Sequence, residues 1–428
     1  MYQTLFDKLI AESEVESPVG DALFLLPEWT FDIMHEFLYQ FQGFCQFRNG
    51  IFANASKYGP GGNMEGKNPA HHITENIEIL TKNKDAWAVE TVMYYLQRLV
   101  AIGTTSKSPA FQYFGIFSSV TLSRLECLLG DYTATISALA PINASLVVEP
   151  PRGSEADVKA MNAAEIVESV FAAKVSMTYH AGVSYLMLRR YKDASKVLGD
   201  ICATMRRGFQ SGSYKKVAGV EQFTKLYDRM IALLAIITHA CPSYALVDES
   251  VSTQVRERHG NQLSKIEAGE DGYEDLFIYA CPKFINPAVP QYEDALTMGS
   301  AHAHDNAYKL QVNHFMNEMS NQQTMMKLRS YMKLYTSISV EKLGRLVSEE
   351  DFESLLLSYK QKTRQLECAA DGESEVYGTV MDIHYFIKDG IVHVDEAEKQ
   401  NRFENYFISQ ITQSSDVKKD VEGISVEI

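Results

Sequence analysis

Along most of this chain apolar residues recur at spacings of three and four. That period can be buried in a regular way only by α-helices. Just 12 prolines and 25 glycines interrupt the 428 residues. Segment 29–47 is a clear case: Phe31, Met34, Phe37, Leu38, Phe41 and Phe44 or Cys45 form a broad stripe, which predicts a well-buried helix. Gly59-Pro60-Gly61-Gly62 marks a loop after it. A second helix is predicted over 87–102, with Gly103 as its stop. The fold class is mainly α.

From 111 to about 207 the pattern predicts paired helices. Segment 180–194 carries marks of the tetratricopeptide (TPR) repeat. Gly182 permits close helix approach, Tyr185 fills the gap between helices, Tyr191 opens the second helix, and Ala194 sits where the two cross. Leu128-Leu129-Gly130-Asp131-Tyr132 is an earlier, weaker copy. Segment 141–165, with Pro150-Pro151, reads as an inserted loop.

Nearer the C-terminus the period changes. A long helix is predicted over about 308–335. Ser339 caps a short helix holding Leu343, Leu346 and Val347. Ser348 and Asp351 cap another, reaching about Leu366, with Phe352, Leu355, Leu356 and Tyr359 inward. Then the alternation becomes two: 382–387, a Lys388-Asp389-Gly390 turn, and 391–394 predict a β-hairpin. Helix, short helix, helix, hairpin is the winged-helix order. A further helix from about Asp395 places Phe403, Phe407, Ile408 and Ile411 on one side. The predicted divisions are an N-terminal helical region (1–105), a TPR-like body (106–300), a winged helix (301–395), and a C-terminal helix with a polar tail (396–428).

Lys plus Arg is 40 and Asp plus Glu 55, so the net charge is −15. A chain this acidic is repelled by polyanions except through local basic patches. The start of the helix expected to face DNA in a winged helix sharpens this: Glu349, Glu350, Asp351 and Glu353 would repel DNA. Lys360, Lys362 and Arg364 leave room for a nonspecific contact with a structured RNA. The apolar run 230–237 is too short to span a bilayer, and the first residues lack a signal-peptide pattern. Six scattered cysteines without a Cys-x-x-Cys pair read as reduced, buried residues. Together these predict a cytoplasmic protein.

No catalytic constellation emerges. Segment 61–68 has phosphate-loop spacing, but Asn68 stands where the metal-binding Ser or Thr belongs, and no strand precedes it. His302 and His304 lack the Ser and Asp that metal-dependent deubiquitinating enzymes place downstream; Val312 and Phe315 occupy those positions. The expectation is no enzyme, no cofactor and no metal.

Several stretches resemble the subunit L family of eukaryotic translation initiation factor three. They are Leu26-Pro27-Glu28-Trp29-Thr30-Phe31-Asp32 and its continuation to Gln42; Leu128-Leu129-Gly130-Asp131-Tyr132; Tyr185 to Tyr191 with Asp193-Ala194; Tyr279-Ala280-Cys281-Pro282-Lys283-Phe284 and Pro287-Ala288-Val289-Pro290; Leu328 to Tyr335; and Phe386-Ile387-Lys388-Asp389-Gly390. The resemblance implies a PCI domain, a right-handed helical repeat capped by a winged helix, in a non-catalytic scaffold subunit. It implies neighbours in subunits K and E, and the small ribosomal subunit reached through the complex. The alternative is a PCI subunit of the proteasome lid or the COP9 signalosome. The partner surface expected from the residues is the hairpin edge at Ile391, Val392, His393 and Val394, extending a neighbour's sheet. Beside it stands the apolar stripe of Phe403, Phe407, Ile408 and Ile411, packing into a helical bundle.

Overall fold

The computed structural model describes residues 2–14, 25–59, 63–69, 71–143, 147–148, 161–212, 220–241, 248–267, 272–291, 307–347, 352–362, 364–368, 375–379, 383–396 and single residues beyond. The chain is mainly helical, with a small three-stranded antiparallel sheet. It divides into two compact units, Met1–Ser320 with Glu367–Val376 and Asn321–Leu366 with Tyr377–Ile428.

In the first unit, α1 (Tyr2–Glu14), α2 (Pro27–Ser56), α3 (His71–Lys82), α4 (Val89–Thr105) and α5 (Pro109–Leu129) come first. Pro27 and Pro109 open α2 and α5, where a missing N–H costs nothing. The expected stripe of α2 is buried: Phe31, Met34, Phe37, Leu38, Phe41 and Cys45 all face the core. Gly103 does not stop α4, which runs on to Thr105. Its job is packing. A Cβ on Gly103 would lie 2.5 Å from the Cα of Gly115 on α5, so the two helices cross backbone to backbone.

Then come α6 (Tyr132–Ser137), α7 (Ala140–Asn143), a short ladder of β1 (Val147–Val148) with β2 (Met161–Asn162), and α8 (Ala163–Ser169). Asp131 caps α6 through a 2.8 Å bond from the Ala134 N–H. The inserted loop was expected to reach Glu165, but α8 already opens at Ala163. Asn162 and Glu165 satisfy each other's backbone N–H there as a capping box. Next are α9 (Phe171–Met187), α10 (Tyr191–Ser211), α11 (Val220–Ala240), α12 (Glu249–Glu267) and α13 (Tyr273–Ala280). The α9–α10 hairpin has the predicted close approach: a Cβ on Gly182 would meet Leu198 at 2.5 Å. Tyr191 and Ala194 are buried. Tyr185 carries the Arg190 guanidinium over its ring at 4.8 Å, and Arg190 pairs with Asp193 at 2.8 Å, which locks the turn.

An extended connector, 281–291, lies on this unit. Ile285 donates to the Leu128 carbonyl at 3.0 Å, the buried Arg48 guanidinium donates to the Pro287 carbonyl, and Asn49 donates to the Asn286 carbonyl at 3.1 Å. Cys45, Cys127, Cys202, Cys241 and Cys281 are buried. Burial pushes the thiols of Cys45 and Cys281 up to about 11 and that of Cys127 up to about 12, so they remain protonated and unreactive.

Helix α14 (Ala307–Met332) begins in the first unit and ends in the second. The second unit continues with β3 (Ser337–Ser339), α15 (Val340–Val347), α16 (Phe352–Lys362), β4 (Arg364–Cys368), β5 (Glu375–Thr379), β6 (Ile383–Lys388) and β7 (Ile391–Glu396). Ser339 caps α15, accepting from the Lys342 N–H at 3.3 Å. Helix α16 stops at Lys362 instead of Leu366. Tyr359 is its last core residue, and the polar Lys360-Gln361-Lys362 end has nothing to bury before β4 starts. Leu328, Met332, Ile338, Leu343, Leu356 and Val392 form the centre of this unit's core. The capping pair Ser348 and Asp351, with Glu349 and Glu350, lies outside the described residues.

Candidate functional site

The three-stranded sheet is ordered β3–β7–β6. The turn between β6 and β7 is the expected one. Asp389 and Gly390 both have positive φ, 51° and 72°, as a two-residue type I′ turn demands, and Lys388 pairs directly with Ile391. The strand order corrects one expectation. Residues 391–394 are not an open edge, because β7 is the central strand. Ser337, Ile338 and Ser339 pair with His393, Val392 and Ile391 on one side. The Val394 N–H donates to the Thr336 carbonyl at 2.9 Å, and β6 takes the other side. A three-residue strand fifty positions upstream leaves almost no periodic signal, so the sequence could not reveal that β7 is enclosed.

Among the described residues β6 pairs in this sheet with β7 alone, so its outer side is where a further strand could add. The faces alternate as pleating requires. Ile383, Tyr385 and Val392 point into the core, with Val392 0% exposed, and the Tyr385 hydroxyl donates to the Leu356 carbonyl. On the opposite face Phe386 is 56% exposed and stacks on His393, ring centroids 5.0 Å apart and 18° from parallel. Ile391 is also exposed on this face. Of the predicted sheet residues, Ile391 and His393 can therefore meet a partner through side chains, whereas Val392 holds the core.

Of the C-terminal stripe, Phe407 and Ile411 are helical and 60% and 69% exposed. Four residues apart, they share a helix face. Phe403 and Ile408 lie outside the described residues.

The first unit contains a feature with no counterpart in the sequence pattern, a cleft of about 400 Å³. Phe31, Asp32, His35 and Gln42 of α2 line it together with Arg124 and Leu128 of α5. Ser176, Tyr179 and His180 of α9, Phe223, Leu226 and Arg229 of α11, and Lys283 of the connector complete it. Arg124 donates to the Gln42 side-chain carbonyl at 3.2 Å. The Tyr179 hydroxyl donates to the Ala280 carbonyl at 2.6 Å and accepts from Arg229. The His180 Nδ1 lies 2.7 Å from the Ser176 carbonyl. Burial, and then the Arg124 charge, hold His35 down at about 4 and His180 at about 3. Burial alone brings Arg124 down to about 10. These residues come from five separated stretches, so no local spacing reveals the cleft.

Helix α2 ends at Ser56, and residues 63–66 form turns. His71 and His72 are exposed, with His71 3.7 Å from Glu75. His302 and His304 lie outside the described residues. Among the described residues no group of three or more His, Cys, Asp or Glu could hold a metal ion. Among them, too, no helix is long and apolar enough to cross a membrane.

A family profile described as RNA polymerase I-associated factor PAF67 matches residues 1–414. The chain is 30% identical over 438 residues to eukaryotic translation initiation factor 3 subunit L of Xenopus tropicalis, with 95% of this chain and 69% of the relative covered. The chain belongs to the subunit L family. Human subunit L is 30% identical over 424 residues, covering 92% of this chain and 67% of that protein. Subunit L of Danio rerio is likewise 30% identical, with 92% and 65% covered. The chain thus spans about two thirds of the length of these subunit L relatives.

Proposed function

We propose that this chain is a non-catalytic scaffold subunit of the translation initiation factor 3 complex, acting in the cytoplasm. The observation that carries this reading is its similarity to subunit L over 95% of its length. In this reading the α9–α10 hairpin belongs to a right-handed TPR-like repeat, and the second unit is the winged helix of a PCI domain. The division is 1–105, 106–300, 301–395 and 396–428. The sheet of β3, β7 and β6 supports a winged helix because it packs on α15 and α16 in the expected order.

The partners in this reading are other subunits of the complex, K and E first, with the small ribosomal subunit reached through them. Two surfaces suit that role. The outer side of β6 offers backbone groups to a neighbour's strand, with Phe386, Ile391 and His393 beside it. Phe407 and Ile411 offer exposed apolar side chains to a helical bundle. Contact with ribosomal RNA, if made by this chain, falls to Lys360, Lys362 and Arg364. Affinity purification of the tagged full chain tests the reading: initiation-factor subunits and small ribosomal subunits should co-purify. Recovery without either would sink it.

A further inference from the structure

We infer that the cleft bounded by α2, α5, α9, α11 and the connector binds a phosphate-bearing small molecule. The argument starts from charge. The chain is acidic overall, at −15, yet Arg124, Arg229 and Lys283 converge on one cavity. Among the described residues no carboxylate makes an ion pair with any of the three. Asp32 is the one acid among the described lining residues. Burial and then Glu28 raise its pKa, and no cation draws it down, so it does not serve as their counter-ion. Arg124 and Arg229 are half-buried and Lys283 is exposed, so holding the three cations beside one cavity is costly unless something supplies negative charge.

The donors suit a phosphate. Two guanidinium forks and an ammonium supply charge-assisted hydrogen bonds. His35 and His180, held neutral first by burial, lie close enough to Arg124 to feel its charge. An anion beside them would favour their protonation and add donors. A tethered Gln42 and Tyr179 already hold Arg124 and Arg229 in place, so the site is pre-organised. At about 400 Å³ the cavity is in the size range of small-molecule sites and is far too large for the anion alone. Phe31, Leu128, Phe223 and Leu226 provide an apolar wall for an organic body. A four-helix enclosure closed by the connector fits a compact ligand better than a continuous acidic peptide. The inference goes beyond the scaffold reading and does not depend on it.

The test titrates the full chain at fixed ionic strength with phenyl phosphate, inorganic phosphate and a glutamate-rich peptide, read by calorimetry. Phenyl phosphate should saturate and bind more tightly than inorganic phosphate. Arg124→Gln and Arg229→Gln should each weaken it by about tenfold or more, the size of one lost charge-assisted bond. Lys283→Gln, on an exposed connector position, should weaken it severalfold and keeps the test valid if an arginine variant fails to fold. On binding, the imidazole NMR signals of His35 and His180 should report raised pKa values. The proposal is overturned if neither phosphate saturates at millimolar concentration, if only the peptide binds, or if binding survives all three substitutions.

Discussion

In the larger unit several distinctive side chains are enclosed, although Trp29, Tyr39 and Tyr94 are exposed. Arg48 is sealed against the connector, Gly103 meets Gly115, and three cations line a cleft. In the smaller unit a compact core of residues such as Leu356 and Val392 sits under a surface that shows Phe386, Ile391, Leu357 and Leu334 to solvent. Both units show apolar side chains to solvent; in the smaller one Phe386 and Ile391 do so on a sheet in which, among the described residues, β6 pairs with β7 alone. The comparison is between a larger unit that carries the cleft and a smaller one that carries the sheet proposed for docking.

The first way to break this contrast is to empty the smaller core. Leu356→Ala should cost about 2–5 kcal/mol, read as lost hydrogen-exchange protection in α16 and β6. If protection there is unchanged, the smaller unit does not depend on the core described. Next is the crossing in the larger unit. Gly103→Val drives a side chain into the α5 backbone and should cost about 1–3 kcal/mol by urea unfolding.

A gentler probe is pH. His35 and His180 are held at about 4 and about 3 when folded, against an ordinary value of about 6.5. Between these limits the unfolded chain binds more protons. Stability is therefore fully present above about 6.5 and falls as the pH drops toward 4. His180→Gln should reduce the loss in urea midpoint between about pH 7.5 and about pH 5. The smallest stability effect belongs to the docking surface. Phe407→Asp with Ile411→Asp should leave unfolding within about 0.5 kcal/mol of the parent while lowering recovery of partner subunits. A large stability loss would mean that these residues pack within the chain.

The legible parts of the fold were those written in local chemistry. Asp389-Gly390 announces its turn because both residues accept positive φ, and Ser339 announces the start of α15 because its hydroxyl can cap. Gly182 was readable for the same reason, since a helix hairpin repeats its contacts at fixed spacing. Gly103 was misread as a stop because a glycine that ends a helix and one that admits another helix look alike in one dimension. Strand order and the cleft were not readable. Both depend on which distant segments meet, and each contributes only a few residues.

The contact of Gly103 with Gly115 binds two positions into a single choice. Any side chain at either one displaces the other's backbone, so neither can drift by itself. Variation at the crossing must arrive as a joint change that also moves α4 away from α5. The pair therefore acts as a lock on the spacing of two helices, and the core built on them, Leu96 and Leu99 on one and Phe114 and Phe117 on the other, inherits its volume from the absence of two methyl groups.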